Sequence, residues 1–408
     1  MNISKKLQNI EQSPIRKFNP YALEAEARGI KIYRLNIGQP DIETPPCFMD
    51  AIRNYDEKVI AYAESGGVAE LQDAICDYFK AYGMDFERDE VMVTNGGSEA
   101  LTMVFNSILD PGDEIITAEP FYANYQTFVT TADGVIVPMT TRAEDGYDYA
   151  DAELIESAIT DKTRAIICTS PGNPTGRVLS MDDIRLIGEL AIKHDLWIVA
   201  DEVYREFAYD GKDITSFGMV PEIRDRVILI DSVSKRFSAC GARVGCIVSK
   251  NKDLMDSVMK IAQGRLCCPT LDQIGAAALY RLDRSYYDKA REEYEARRDA
   301  VYDELMKIPD IVCRKPGGSF YIMAKLPVDD IEDFLMFLLR EFDDNGDIRD
   351  AQIEELSEKL TNPEETSGLI NVSRRLLHYA GGRGELFVKR SDLGGLKVTI
   401  YLSSRRED

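Results

Sequence analysis

The chain has 408 residues, with Lys+Arg 49 against Asp+Glu 71 and a net charge of -22, a balance that phosphate backbones and anionic membranes repel. With only two histidines, neither a histidine-rich metal site nor a Ser-His-Asp triad is the expected chemistry, and no metal is expected. No run reaches the roughly 18 apolar residues of a membrane helix, residues 1–6 lack the apolar core of a signal peptide, and the eight cysteines form no C-x-x-C pair. Reduced thiols in a cytoplasmic protein are the expectation.

In chain order, charged helical stretches lead into a short strand over residues 31–37, which ends in Gly38-Gln39-Pro40-Asp41. Apolar spacing predicts helices over 47–55 and 68–82, joined by a loop that holds Tyr62-Ala63-Glu64-Ser65-Gly66-Gly67. From residue 91, short apolar runs alternate with helical stretches such as 182–194. The runs are 91–94, 114–117, 135–137, 164–168, 196–200, 226–230 and 244–248. That alternation predicts an α/β domain with a mainly parallel seven-stranded sheet and helices on both faces. Ligands of such sheets bind where the strands give way to loops.

Charged helices follow over 271–306, broken near Asp283, then a Gly317-Gly318 turn, a strand over 319–324 and a helix over 330–342. The tail adds a helical stretch over 351–360 and two strands, one at 396–402. These elements divide into an N-terminal arm that also forms part of a small domain (1–49), a large domain (50–300) and the rest of the smaller α+β domain (301–408), in which 348–408 stands apart.

The sixth run opens into Asp231-Ser232-Val233-Ser234-Lys235-Arg236-Phe237-Ser238-Ala239-Cys240-Gly241-Ala242-Arg243-Val244-Gly245. Such a loop suits a lysine that makes a covalent imine beside a phosphate. The hydroxyls of Ser232 and Ser234 can donate to phosphate oxygens, and Arg243 offers a planar fork. A solvated lysine in a polar loop explains the stretch equally well by itself. In Thr94-Asn95-Gly96-Gly97-Ser98, a strand turns into a helix whose first amides form an anion site; Ser98 serves the anion or caps the helix.

Glu119-Pro120-Phe121-Tyr122 presents an aromatic face to a flat ring, or to the core. Ser170-Pro171-Gly172-Asn173-Pro174-Thr175-Gly176 holds Asn173 rigidly as a donor, or is simply a tight turn. Asp201 follows an apolar strand, so it is either a helix cap or a buried carboxylate that needs a cation such as a protonated ring nitrogen. Tyr62 reads as a surface turn.

In this order and spacing, these segments resemble the fold type I aminotransferases, the class I/II or aspartate aminotransferase superfamily, which use pyridoxal 5′-phosphate (PLP). The resemblance spans roughly residues 30–345, and its most specific parts are 171–176, Asp201-Glu202-Val203-Tyr204 and Ser232-Val233-Ser234-Lys235 with Arg243. It implies that Lys235 anchors the cofactor covalently and then moves the substrate proton, and that Asp201 pairs with the pyridine nitrogen. Tyr204 and Asn173 would hydrogen-bond the ring 3-oxygen, and Tyr122 would stack on the ring. Gly97, Ser98, Ser232, Ser234 and Arg243 would bind the phosphate. Tyr62 would reach the phosphate of a neighbouring subunit, which implies a homodimer with shared sites, and Gly38 would let substrate approach the backbone.

The implied reaction is ping-pong amino transfer between an aspartate-like L-amino acid and a 2-oxo acid. The same residues also serve lyases, decarboxylases and a cyclopropane-carboxylate synthase on this fold. A transcriptional regulator would need an added DNA-binding module, and a nicotinamide enzyme would need a G-x-G-x-x-G after the first strand. Relatives hold the substrate carboxylate with an arginine on a strand near the C-terminus, followed by a closing helix. Here the strand at 396–402 carries Lys397 instead. Arg374, in Asn371-Val372-Ser373-Arg374-Arg375, is the substitute candidate, with a basic surface turn as the alternative. The tail is therefore expected either to remodel the clamp or to impair substrate recognition.

Overall fold

The apolar runs become strands β1 (Val91–Thr94), β2 (Glu114–Glu119), β3 (Val135–Thr140), β4 (Thr163–Thr169), β5 (Trp197–Asp201), β6 (Val227–Ser232) and β7 (Gly245–Val248) in the computed structural model of the chain. They form one sheet in the order β1-β7-β6-β5-β4-β2-β3. β7 runs antiparallel to both neighbours and the remaining pairs are parallel, as the alternation predicts. The structure describes residues 3–8, 10, 19–27, 29, 32, 34, 37–328, 330 and 334, with the strand backbones Gly384–Arg390 and Leu396–Leu402.

Two units separate by packing, residues 1–11 with 38–325 and residues 12–37 with 326–408. The first takes in 38–49 and 301–325 in addition to 50–300. Among its described parts, the second has a helix, Asn19–Ala27, and the antiparallel pair Gly384–Arg390 with Leu396–Leu402. Within it Arg34 bonds Asn19 and Glu26.

The central strands of the first unit's sheet are dry on both faces. Ile198, Ala200, Val227 and Leu229 enter one core cluster, whereas Val199, Ile228 and Ile230 enter another. Side chains alternate across a strand, so double burial explains why these strands read as unbroken apolar runs. Helices Ala69–Lys80, Met181–Lys193 and Thr270–Tyr280 cover the first face, and Gly96–Ile108, Asn124–Thr131 and Lys252–Arg265 the second.

The same parity sorts the acidic residues at the strand ends. Asp201 continues the face of Val199, while Glu202 and Asp231 continue those of Ala200 and Leu229. On that first face, Glu202, Arg205, Glu206, Asp231 and Arg236 are each no more than 2% exposed. Arg205 pairs with Glu202 at 2.6 Å and faces Asp231 at 3.6 Å, Arg236 pairs with Asp231, and the Tyr82 hydroxyl donates to Glu206 at 2.8 Å. The Arg236 guanidinium lies 4.5 Å from the Tyr78 ring centre. These ties join the loops after β5 and β6, and stranding one such charge by removing its partner costs about 3–5 kcal/mol.

Three local expectations need correction. The strand over 319–324 shrinks to Ala324–Lys325, paired with Val312–Cys313. Ser319 is left-handed, with φ 57, and Gly318 bridges Ala208 instead; a left-handed residue ends an extended run and turns Phe320 and Tyr321 onto Tyr204. In the stretch 31–37, the described residues Ile32, Arg34 and Ile37 are not in a strand. Asp231 and Ser232 belong to β6 rather than to the loop after it. The stretches 330–342 and 351–360 lie mostly or wholly outside the described residues.

Candidate active site

β1, β2, β4, β5 and β6 point the same way, so the segments that follow them gather at one edge of the sheet. Lys235 stands there, half-buried, on the turn after β6. Its ammonium donates to the Gly38 carbonyl at 2.7 Å and lies 5.8 Å from the Tyr204 ring centre. Burial lowers its pKa and the Arg243 charge lowers it further, against the raising pull of Cys240 and Asp201. A lysine held in this way carries more of the neutral, nucleophilic form than a solvated one.

Asp201, 6% exposed, is no helix cap: a turn follows it, and its carboxylate only grazes the Val203 amide at 3.5 Å. Because it continues the face of Val199, it meets helix Asn124–Thr131, where the Tyr125 hydroxyl donates to it at 2.6 Å. The same hydroxyl lies 2.8 Å from Thr169 Oγ1. Burial pushes the Asp201 carboxyl up to about 6, with the Tyr125 bond opposing. Such a group holds its charge best against a cation on its open side.

Gly97 and Ser98 head helix Gly96–Ile108. Asn95 occupies the cap position, and Glu99 accepts from its amide at 2.6 Å, so Ser98 is an interior first-turn residue rather than the cap. The chain passes through Gly96 at φ +75, and a Cβ there would strike the Arg243 guanidinium. Arg243 is itself left-handed, at φ 52, and its fork donates to Asn95 O at 3.2 Å and Cys240 O at 3.1 Å. Ser232 and Ser234 are buried beside it, with Ser232 Oγ accepting from the Ser234 amide at 3.2 Å. Backbone amides, two hydroxyls and one guanidinium thus stand on adjoining segments of this edge, a donor set suited to an anion cradle.

Tyr122 is half-buried, accepts from Asn124 Nδ2 at 2.6 Å and crosses the Tyr125 ring edge-on at 5.4 Å. Asn173 lines a cavity with Phe121, Thr169 and Thr175. Tyr204, 2% exposed, meets the Tyr321 hydroxyl at 2.7 Å. A Cβ on Gly38 would collide with that same Tyr321 hydroxyl, so only glycine fits there. Tyr62 is 81% exposed, on a segment tied down by Thr270 to Ala61 O at 2.9 Å and by Arg265 to Ser65 O at 3.1 Å. Arg374 lies outside the described residues.

The profile of aminotransferase class I and II matches residues 30–363 of the chain. The chain belongs to this family. It is 31% identical to the aspartate aminotransferase of Bacillus subtilis (strain 168) over 352 residues, 84% of this chain and 89% of that one. It is also 31% identical to the asparagine–oxo-acid transaminase of Streptococcus mutans over 351 residues, 83% of this chain and 89% of that one. The structure of an alanine aminotransferase from Pyrococcus furiosus matches with TM-score 0.77 at 32% identity, covering 83% of this chain and 88% of that one. This aminotransferase is therefore a PLP-dependent transferase of fold type I.

The residues present fit PLP. The anion cradle suits its phosphate, Asp201 needs a cation such as its pyridinium, and Lys235 is a half-buried amine. Among the described residues, no cluster of His, Cys, Asp and Glu could hold a metal ion, and no helix is long and apolar enough to cross a membrane. Two residues of this aminotransferase's site escaped sequence reasoning, Tyr125 and Tyr321. For Tyr125 a signal existed: it stands one helical turn after Tyr122 and so shares its side of the helix start.

Proposed function

We propose that this aminotransferase exchanges an amino group between an aspartate-like L-amino acid and a 2-oxo acid, with Lys235 as its acid–base and anchoring residue. The observation that carries the reading is Lys235, half-buried between the Gly38 carbonyl and the Tyr204 ring, with buried Asp201 near enough to act on its charge. When bound, PLP supplies an electron-withdrawing ring that stabilises negative charge on the substrate Cα.

Lys235 Nζ would anchor PLP covalently, and the same amine would move the substrate proton from one carbon to another. Asp201 would pair with the ring nitrogen, its carboxylate oriented by Tyr125. Tyr204 and Asn173 would bond the ring 3-oxygen, and Tyr122 would cover the ring. Gly97, Ser98, Ser232, Ser234 and Arg243 would hold the phosphate. Gly38, whose missing side chain admits the Tyr321 hydroxyl, would let substrate approach its backbone, and Arg374 is assigned the substrate carboxylate. Residues 50–300 are read as the large domain, with 1–49 and 301–408 as arm and small domain.

L-Aspartate alone, without an acceptor, should yield one equivalent of 2-oxo acid per site and then stop, and Arg374→Leu should raise KM for the amino acid. Continuous release of ammonia or carbon dioxide would assign a lyase or decarboxylase instead.

A homodimer with shared sites follows from Tyr62. Val59, Ile60 and Tyr62 are all strongly exposed on one segment, an apolar surface that a second copy would cover. Mixing inactive Lys235→Ala with weakened Tyr62→Phe should produce hybrid dimers carrying one native site. Activity that never rises above the parents would show that Tyr62 does not serve its neighbour. Eight unpaired cysteines support a reducing, cytoplasmic setting, which a disulfide found in natively isolated protein would overturn.

A further inference from the structure

We infer that Tyr321 is a positioning residue that acts through Tyr204, its hydroxyl donating to the Tyr204 hydroxyl and so strengthening the bond Tyr204 makes to the cofactor. The inference rests on the roles proposed above for Lys235 and Tyr204. The two phenol oxygens are 2.7 Å apart, and their rings meet edge-on at 84°. A phenol has one proton. If Tyr204 gives its proton to the ring 3-oxygen, its own oxygen can only accept, so the bridging proton must come from Tyr321. A hydroxyl that accepts one hydrogen bond becomes a stronger donor in the next.

The position of Tyr321 is set by the surrounding structure. Left-handed Ser319 turns the chain, and Phe320 packs edge-on against both Tyr204 and Phe207. The missing Cβ of Gly38 makes the space for the Tyr321 hydroxyl. Gly38 is also the residue whose carbonyl accepts from Lys235. One glycine thus seats both the lysine and the tyrosine that supports its neighbouring phenol.

The consequence is a definite sign. Proton loss from the lysine–cofactor linkage leaves negative charge on the ring oxygen, which a strong donor favours. Weakening Tyr204 as a donor must therefore raise the pH at which the linkage titrates. The other groups acting on this site are Asp201 and Tyr122, which face both phenols, Cys240, which faces Tyr321 and Lys235, and Arg243, which faces Lys235. All of them remain in Tyr321→Phe, which also keeps the ring and its contacts.

The test is a spectrophotometric pH titration of the bound cofactor in the holoenzyme, in wild type, Tyr321→Phe, Tyr204→Phe and the double variant. Tyr321→Phe should raise the midpoint by roughly half a pH unit, the share expected when one link of a short chain is removed. Tyr204→Phe should raise it further, and the double variant should match Tyr204→Phe alone, since Tyr321 then has nothing to act through. An unchanged midpoint in Tyr321→Phe would overturn the inference, as would a full second shift in the double variant. A wild-type protein with no lysine-bound band would instead refute the reading of the site, and this inference with it.

Discussion

Lys235→Ala should lose at least about 10⁴-fold in turnover while its fold and its thermal midpoint stay close to wild type. Positioned proton transfer alone is worth about 10²–10⁴-fold, and the variant also loses the covalent anchor. Little stability is at stake, because the ammonium makes one hydrogen bond, to Gly38 O. Burial already disfavours its charged form, so removing it relieves a desolvation cost. Steady-state assays beside a thermal melt check the split. A variant that retains a tenth of wild-type turnover would show that another group moves the proton. If turnover and melting fell together, Lys235 would be part of the scaffold.

Asp201→Asn should cut turnover by roughly 10²–10³-fold, the usual consequence of removing one preorganised electrostatic partner. It should also change how the cofactor-free protein responds to pH. Burial raises the Asp201 carboxyl from 3.8 to about 6, so the folded state holds this proton more tightly than the unfolded chain does. That preference stabilises the fold fully below the unfolded value and is lost as pH rises through about 6. The loss from this group is on the order of 3 kcal/mol. Asparagine has no such titration. The stability of Asp201→Asn relative to wild type should therefore improve between pH 4 and 7, by denaturant unfolding of cofactor-free protein. A constant difference across that range would mean that the Asp201 carboxyl is not raised by burial in the cofactor-free protein.

Much of this was legible in the sequence because the active edge is built from local signals. Each parallel strand is a short apolar run, and each ends in small, rigid or hydroxyl residues, so Asn173, Asp201 and Lys235 could be placed before any contact was known. What could not be read is long-range. Tyr125 and Tyr321 reach Asp201 and Tyr204 across 76 and 117 residues of chain, and no local periodicity encodes such pairs. Ser319 misled because serine, unlike glycine, gives no sign of a left-handed backbone, although the Gly317-Gly318 pair before it marks a turn.

Ser98 was open between cap and anion donor because a hydroxyl at a helix start suits either role, and the structure puts Asn95 at the cap position, its amide bonded to Glu99. The burial of Arg205 and Arg236 has no local signal, since burial of an arginine depends on carboxylates brought to it by the fold. Parity along β5 does separate Asp201 from Glu202 by face, but only once both sides of the sheet are known to be covered.

The most direct test of the account is borohydride reduction of the native protein with its cofactor, followed by peptide mass mapping. The account predicts a single reduced pyridoxyl-phosphate adduct, on Lys235, that is absent from Lys235→Ala. An adduct on any other lysine, or none on the wild-type protein, would contradict it.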